Sequence, residues 1–182
     1  MAMTEVLLRP ASVADASAIA ALHVASWRAA YRDLAPAEVF AAMDEPLRLR
    51  RWTATLSVPP DRQVILLAEQ HGRLAGMGMA ASPSEAAFGE RGEIRSLYLD
   101  PAFQRLGIGR RLMAALAARI EGWGYGGAAL GGVAGNDRAI AFYRALGGRR
   151  AGRYLDPGPF WRSENLIFVW DELSELVRAG PS

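Results

Sequence analysis

Cysteine does not occur in this chain of 182 residues. Disulfides, thiolate metal ligands and a cysteine nucleophile are therefore excluded, and a reducing compartment is allowed. Histidine is scarce: only His23 and His71 are present, far apart in sequence. Without cysteine they cannot supply the compact ligand set of a typical zinc site, so no metal is expected. Long apolar runs are missing too. No stretch approaches the roughly 20 apolar residues that a membrane span needs, and Met1 to Pro10 lacks a cationic segment followed by an apolar run. The expectation is a soluble, cytoplasmic protein with no membrane partner. Nor does one sign of charge prevail: 21 lysines and arginines against 19 carboxylates leave a formal net charge of +2. Arginines gather at Arg48, Arg50 and Arg51, at Arg105, Arg110 and Arg111, and at Arg149, Arg150 and Arg153. No interleaving with aromatics of the kind that stacks bases stands out, so nucleic acid is not an expected partner, and the first and third groups read as solvated faces.

Apolar side chains are plentiful. Hydrophobic residues make up 51% of the chain, enough for one substantial core and marginally few for two. A single domain over residues 1–182 is expected, with its core at about 5–172 and a C-terminal tail at 173–182. Leu7 to Arg9 suits a first strand, and Ser12 with Asp15 three positions on resembles a capping box. Ile19, Leu22, His23, Ser26, Trp27 and Ala30 then form one helical stripe that runs down to Tyr31. A second helical region, broken by Pro36 and Pro46, runs to about Leu56. Gln63 to Glu69 and Leu74 to Ala81 read as strands around a His71-Gly72-Arg73 turn, before a mobile, small-residue loop from Ser82 to Gly92. The remaining order is strand (Glu93 to Leu99), helix (Gly107 to Glu121), strand (Ala128 to Val133), helix (Asp137 to Leu146) and two strands (Arg149 to Tyr154, Leu166 to Asp171). This alternation predicts an α/β protein with a mixed sheet and helices on both faces.

The most informative stretch is Leu97 to Met113. A short strand ends at Asp100-Pro101, and Gly107 and Gly109 precede Leu112, Met113, Leu116, Ala117 and Ile120 on one helical face. A first helical turn has unpaired N–H groups and roughly half a positive charge, and glycine lets an oxygen-rich group approach the chain. Such a turn can hold a pyrophosphate.

Gln104-Arg105-Leu106-Gly107-Ile108-Gly109 resembles the QxxGxG signature of the GNAT superfamily of acyl-CoA N-acyltransferases. Asn136-Asp137-Arg138-Ala139-Ile140-Ala141-Phe142-Tyr143 through Gly147 resembles its second signature, an Asn-initiated helix with a tyrosine about two turns along. The two lie in the family's order and separation. The resemblance implies a mostly antiparallel sheet of about six to seven strands, in which the strand ending at Leu99 and the strand from Ala128 splay to form an acyl-CoA cleft. It also implies acetyl-CoA as cosubstrate, a primary amine of a small molecule or protein as acceptor, and, by family habit, a homodimer.

The resemblance assigns candidate roles, each beside a plainer alternative. Backbone groups of Leu97, Tyr98 and Leu99 are expected along the pantetheine arm, and the amides from Gln104 through Arg105, Leu106, Gly107, Ile108, Gly109 and Arg110 around the pyrophosphate. The Arg105 and Arg110 side chains either contact phosphates or are solvated. Asn136 caps its helix, contacts the cofactor arm, or does both. Tyr143 either stabilises the departing sulfur or packs with Ile140 and Leu146. Glu93, four residues before Leu97, either takes the amine's proton or is a surface strand residue beside Arg91 or Arg95. His23, Trp27 and Tyr31 either face the acceptor or sit in the core. Trp161, in the aromatic segment from Leu155 to Arg162, belongs either to a wall of the acceptor pocket or to a partner surface. The alternative function is a noncatalytic acyl-CoA-binding or sensing module.

Overall fold

Strand β2 (Gln63–Gln70) explains why helices cover both sides of the sheet. Its side chains alternate, so Leu66 and Ala68 enter one buried cluster while Ile65 and Leu67 enter another. The computed structural model describes residues 6–158 and 161–178. β2 turns back into β3 (Arg73–Ala81) through His71 and Gly72, whose φ values of 54° and 71° are both left-handed. Paired positive φ angles match the twist of the flanking strands, which makes a two-residue hairpin favourable.

The sheet has seven strands. With β1 (Val6–Pro10), β4 (Gly92–Leu99), β5 (Ala128–Val133), β6 (Arg149–Asp156) and β7 (Ser163–Trp170), the order is β1-β2-β3-β4-β5-β7-β6. Every neighbouring pair is antiparallel except β4–β5. The expected mixed, mostly antiparallel α/β sheet is what the chain forms.

Helices α1 (Ala16–Tyr31), α2 (Ala37–Ala42) and α3 (Glu45–Ser57) precede β2, and α1 and α3 cover one face. Before α1, the Asp15 carboxylate accepts the Ser12 N–H at 2.8 Å and also meets Arg9, so the chain enters through one 3₁₀ turn. The other face is covered by α4 (Ile108–Gly122). Its Ile108, Leu112, Met113, Leu116, Ala117 and Ile120 are all wholly buried, as the three- and four-residue spacing requires. α5 (Asp137–Ala145) follows β5, and α6 (Leu173–Arg178) closes the described chain.

Three expectations need correction. The segment from 173 is not a tail: Leu173 and Leu176 are buried in the core beside the α4 stripe, and two apolar side chains three apart give even a short helix one core-facing side. Only 179–182 lie outside the described residues. The loop from Ser82 to Gly92 is pinned, because Phe88, in a 3₁₀ turn, is fully buried against Ala129, Ile167 and Val169. β7 starts at Ser163 rather than Leu166, since pairing with β6 holds polar Ser163, Glu164 and Asn165 extended, and β5 joins on the other side at Asn165. No helix among the described residues is long and apolar enough to cross a membrane.

Candidate active site

Pairing between β4 and β5 consists of Gly92 with Ala128 and Glu93 with Ala129, after which the strands separate. β5 stays paired to β7 along its whole length, so residues from 94 to 99 border an open slot. The main chain shows which groups face it. The Asp100 N–H points back to the Ala75 carbonyl at 3.0 Å, whereas the Leu99 carbonyl, on the opposite side, accepts from Ser26 Oγ at 2.9 Å. Alternation along a strand therefore turns the backbone of Leu97 and Leu99 to the slot and that of Tyr98 to β3. Tyr98 departs from its expected place on the cofactor edge, and the Leu99 carbonyl already has a partner.

A bulge decides which face of the sheet each β4 side chain takes. Met79 pairs with Ser96 and Ala80 with Ile94, so Arg95 is an extra residue on β4. Leu97 and Leu99 pack on the α4 side, and so does Ile94, which an unbroken strand would place on the opposite face. The bulge thus moves Glu93 to the face carrying Tyr98. Glu93 is buried, and its Oε2 accepts the Ser84 N–H and an Arg95 Nη2–H, each at 2.9 Å. The surface position considered for Glu93 does not occur, although Arg95 is its neighbour.

The glycine turn lies at the other end of the slot. Arg105 and Gly107 have φ values of 63° and 79°, and the exposed main chain at 105–107 leads into α4. The two glycines do different things. A Cβ at Gly107 would meet nothing within 4 Å, so this glycine serves the left-handed backbone and leaves open space in front of the helix. A Cβ at Gly109 would lie 3.1 Å from Leu99 and 3.2 Å from Phe142, so this one lets α4 press against β4 and α5. The Gln104 side chain accepts a hydrogen bond from Arg138 on α5, which ties the turn to the second signature helix.

Asn136 accepts the Ala139 N–H at 3.3 Å, capping α5. Tyr143 packs between Phe142 and Phe168, and Gly132 on β5 leaves room for its ring. Burial raises the Tyr143 pKa well above the ordinary tyrosine range, with Tyr31 and Tyr98 adding to the effect. Tyr98 is pushed up to about 12, again chiefly by burial.

A cleft of about 290 Å³ lies between α3, α1 and the β4 bulge. His23 lines it, stacked on Tyr98 with centroids 4.2 Å apart. Its Nδ1 accepts from Trp52 Nε1 at 3.1 Å, and burial lowers its pKa to about 3. It is therefore neutral at pH 7, and its Nδ1 lone pair is already engaged. Trp161 meets Trp27 and Tyr31 edge-on, and those two rings are tilted against each other, so Trp161 covers α1 of its own chain. Arg48 and Arg51, read from sequence as a solvated face, line the cleft with Arg95 and Ser96. Their spacing with Trp52 and Thr55 was the available signal. Among the described residues no cluster of three or more potential metal ligands is present.

Residues 27–147 match the profile of the Acetyltransferase (GNAT) family, and the chain belongs to that family. No curated protein matches it. Solved structures do. PaiA N-acetyltransferase from Thermoplasma acidophilum, in complex with coenzyme A, is 17% identical, with a TM-score of 0.70 over 91% of this chain and 98% of that one. yncA from Salmonella typhimurium, with its cofactor acetyl-CoA, is 21% identical, with a TM-score of 0.66 over 93% and 95%. Ribosomal-protein-alanine N-acetyltransferase from Brucella melitensis is 24% identical, with a TM-score of 0.66 over 90% and 98%. These likenesses establish the fold.

Proposed function

We propose that the protein is an N-acetyltransferase that moves an acetyl group from acetyl-CoA to a primary amine by direct attack in a ternary complex. The observation that carries this reading is the slot between β4 and β5, with an open glycine turn at one end and Tyr143 beside it. Coenzyme A and acetyl-CoA in the structural neighbours support the choice of donor.

Amides from Arg105 to Arg110 would hold the pyrophosphate, and the open space at Gly107 fits that use. Leu97 and the Leu99 N–H would pair with the pantetheine amides as a missing strand does. The Leu97 N–H, next to the bulge, is the candidate donor to the thioester oxygen. Asn136 sits beside the same slot. In the reaction the amine nitrogen bonds to the acetyl carbon, the carbon–sulfur bond breaks, the amine loses a proton and the sulfur leaves as thiolate or thiol. A lysine-like amine with a pKa of about 10.4 is under about 0.1% neutral at pH 7, so a proton acceptor helps. Glu93, brought to the acceptor face by the bulge, is assigned that role through water. Tyr143 is assigned to the sulfur. Because burial raises its pKa, a proton transfer already uphill from about 10 to a thiol near 8.5 becomes harder, and a hydrogen bond to the thiolate is the favoured contribution.

The test is an acetyl-CoA-dependent screen of amines that follows free thiol, with a no-acceptor control. Thiol release that requires an amine supports the proposal. Tight coenzyme A binding with no release across the panel would instead identify a noncatalytic acyl-CoA-binding module.

A further inference from the structure

Two consecutive glycines lie on the β5 edge of the slot, and each gives its side chain's place to a phenol. Successive residues of a strand point to opposite faces. Gly132 leaves room for Tyr143 on the α4 side. A Cβ at Gly131 would collide with the Tyr154 hydroxyl and lie 2.8 Å from its ring, so the tip of Tyr154 sits directly over β5 on the other face. That face is also Glu93's, because Glu93 pairs with Ala129, two residues before Gly131 on the same side of β5. At a strand spacing of about 4.8 Å and a rise of about 3.3 Å per residue, the Cα atoms of Glu93 and Gly131 are about 8 Å apart. A small polar group fits between the carboxylate and the hydroxyl.

Packing alone does not explain this hydroxyl. Tyr154 meets Phe88 edge-on, with centroids 5.7 Å apart, and packs on an apolar cluster with Ala129, Ile167 and Val169. Phenylalanine would fill that place without polar company. Instead, Asn165 Nδ2, buried on β7, donates to the Tyr154 hydroxyl oxygen at 3.2 Å, and Asn165 Oδ1 accepts from Ser163 Oγ at 3.1 Å. The hydroxyl thereby keeps its own proton and a second lone pair, which no other hydrogen bond among the described residues uses. Gly131 and Tyr154 are only half-buried, so neither is sealed off. Burial raises the Tyr154 pKa, the Asn165 hydrogen bond offsets part of the rise, and the charges of Asp156, Glu93 and Glu85 add to it. The phenol stays protonated at pH 7.

We infer that the Tyr154 hydroxyl is a hydrogen-bond partner of the acceptor amine, its remaining lone pair accepting an amine N–H and holding the nitrogen opposite Glu93, on the face of the slot away from Tyr143. The two tyrosines then divide the reaction: Tyr143 faces the leaving sulfur and Tyr154 the incoming nitrogen. This assignment rests on the acetyltransferase reading of the same site.

The experiment compares the native protein with Tyr154→Phe in acetyl-CoA-dependent thiol release on phenethylamine, spermidine, alanine amide and a lysine-containing peptide. Binding of the same amines to coenzyme A-loaded protein is measured alongside by calorimetry. Tyr154→Phe should raise KM about tenfold for the amines that the native protein uses, the worth of one hydrogen bond, with a smaller change in kcat and none in coenzyme A affinity. This variant leaves the buried Asn165 amide short of a partner, so Tyr154→Phe is also combined with Asn165→Leu and Ser163→Ala. Replacing the whole polar group by apolar side chains should recover stability, while KM should stay raised. An unchanged KM or binding constant in Tyr154→Phe, or a return to the native value in the triple variant, overturns the contact and leaves acetyl transfer intact. Amine binding weakened about tenfold by Tyr154→Phe, in a protein that releases no thiol, upholds the contact and overturns the transfer reaction. Absence of both binding and turnover for every amine of the panel overturns the contact.

Discussion

Trp52 on α3 donates its indole N–H to Nδ1 of His23 on α1 at 3.1 Å, joining the two helices that cover one face of the sheet. Because His23 is held neutral with a pKa of about 3, against an ordinary value of about 6.5, the unfolded chain takes up its proton first as pH falls. The stabilisation is complete above about pH 6.5 and is lost as pH drops towards 3. Between pH 7 and pH 5, before most carboxylates titrate, the loss from this group should be about 2 kcal/mol. Urea unfolding at the two pH values should show that loss in the native protein and a clearly smaller one in His23→Gln.

The two glycines of the turn should fail differently. Gly107→Ala meets no atoms and should cost about 1–2 kcal/mol of left-handed backbone strain. Gly109→Val presses on Leu99 and Phe142 and should cost about 1–3 kcal/mol by overpacking, while also displacing the slot edge. Thermal melts with and without coenzyme A should show that Gly109→Val loses more of the ligand-induced stabilisation than its own destabilisation explains.

Tyr143→Phe should lower kcat by roughly ten- to a hundredfold, the value of one hydrogen bond to a charged leaving group. Coenzyme A affinity should change little, since the Phe142 and Phe168 contacts remain. Unchanged turnover on the true acceptor would remove Tyr143 from the chemistry.

Glu93→Gln should reshape the acidic limb of the pH profile of kcat/KM, which reports the free enzyme's proton acceptor. The Arg95 contact makes fold stability a necessary companion measurement. A stable variant whose acidic limb matches the native one leaves proton acceptance to another group.

Leu176→Ala tests α6. A dispensable tail would tolerate it, whereas a side chain with no exposed surface in the main core should cost about 2–5 kcal/mol. Denaturant unfolding decides between the two.

Most of the elements were legible because their signals are local. The stripe from Ile108 to Ile120 predicts α4, Gly107 and Gly109 mark its start, and Ala128 to Val133 is a strand with the bounds read from sequence. The paired signatures at 104–109 and 136–147 identified the family for the same reason. α6 escaped notice because six residues carry too little periodicity, and β7 began early because its polar start is held by neighbours distant in sequence. Arg48 and Arg51 read as a solvated face because their spacing with Trp52 and Thr55 marks one side of a helix but not the cleft it borders, which residues distant in the chain complete.

The residue order alone determined the helical and extended periodicities, the left-handed glycine turn, and the absence of thiol chemistry. Those follow from backbone sterics and from which side chains exist. Tertiary structure decided the rest: the extra residue at Arg95 that carries Glu93 to the face of Tyr98, the parting of β4 from β5, and the meeting of α1, α3 and β4 around His23. Strand register and helix docking are set by contacts between residues far apart in the chain, so no local pattern contains them.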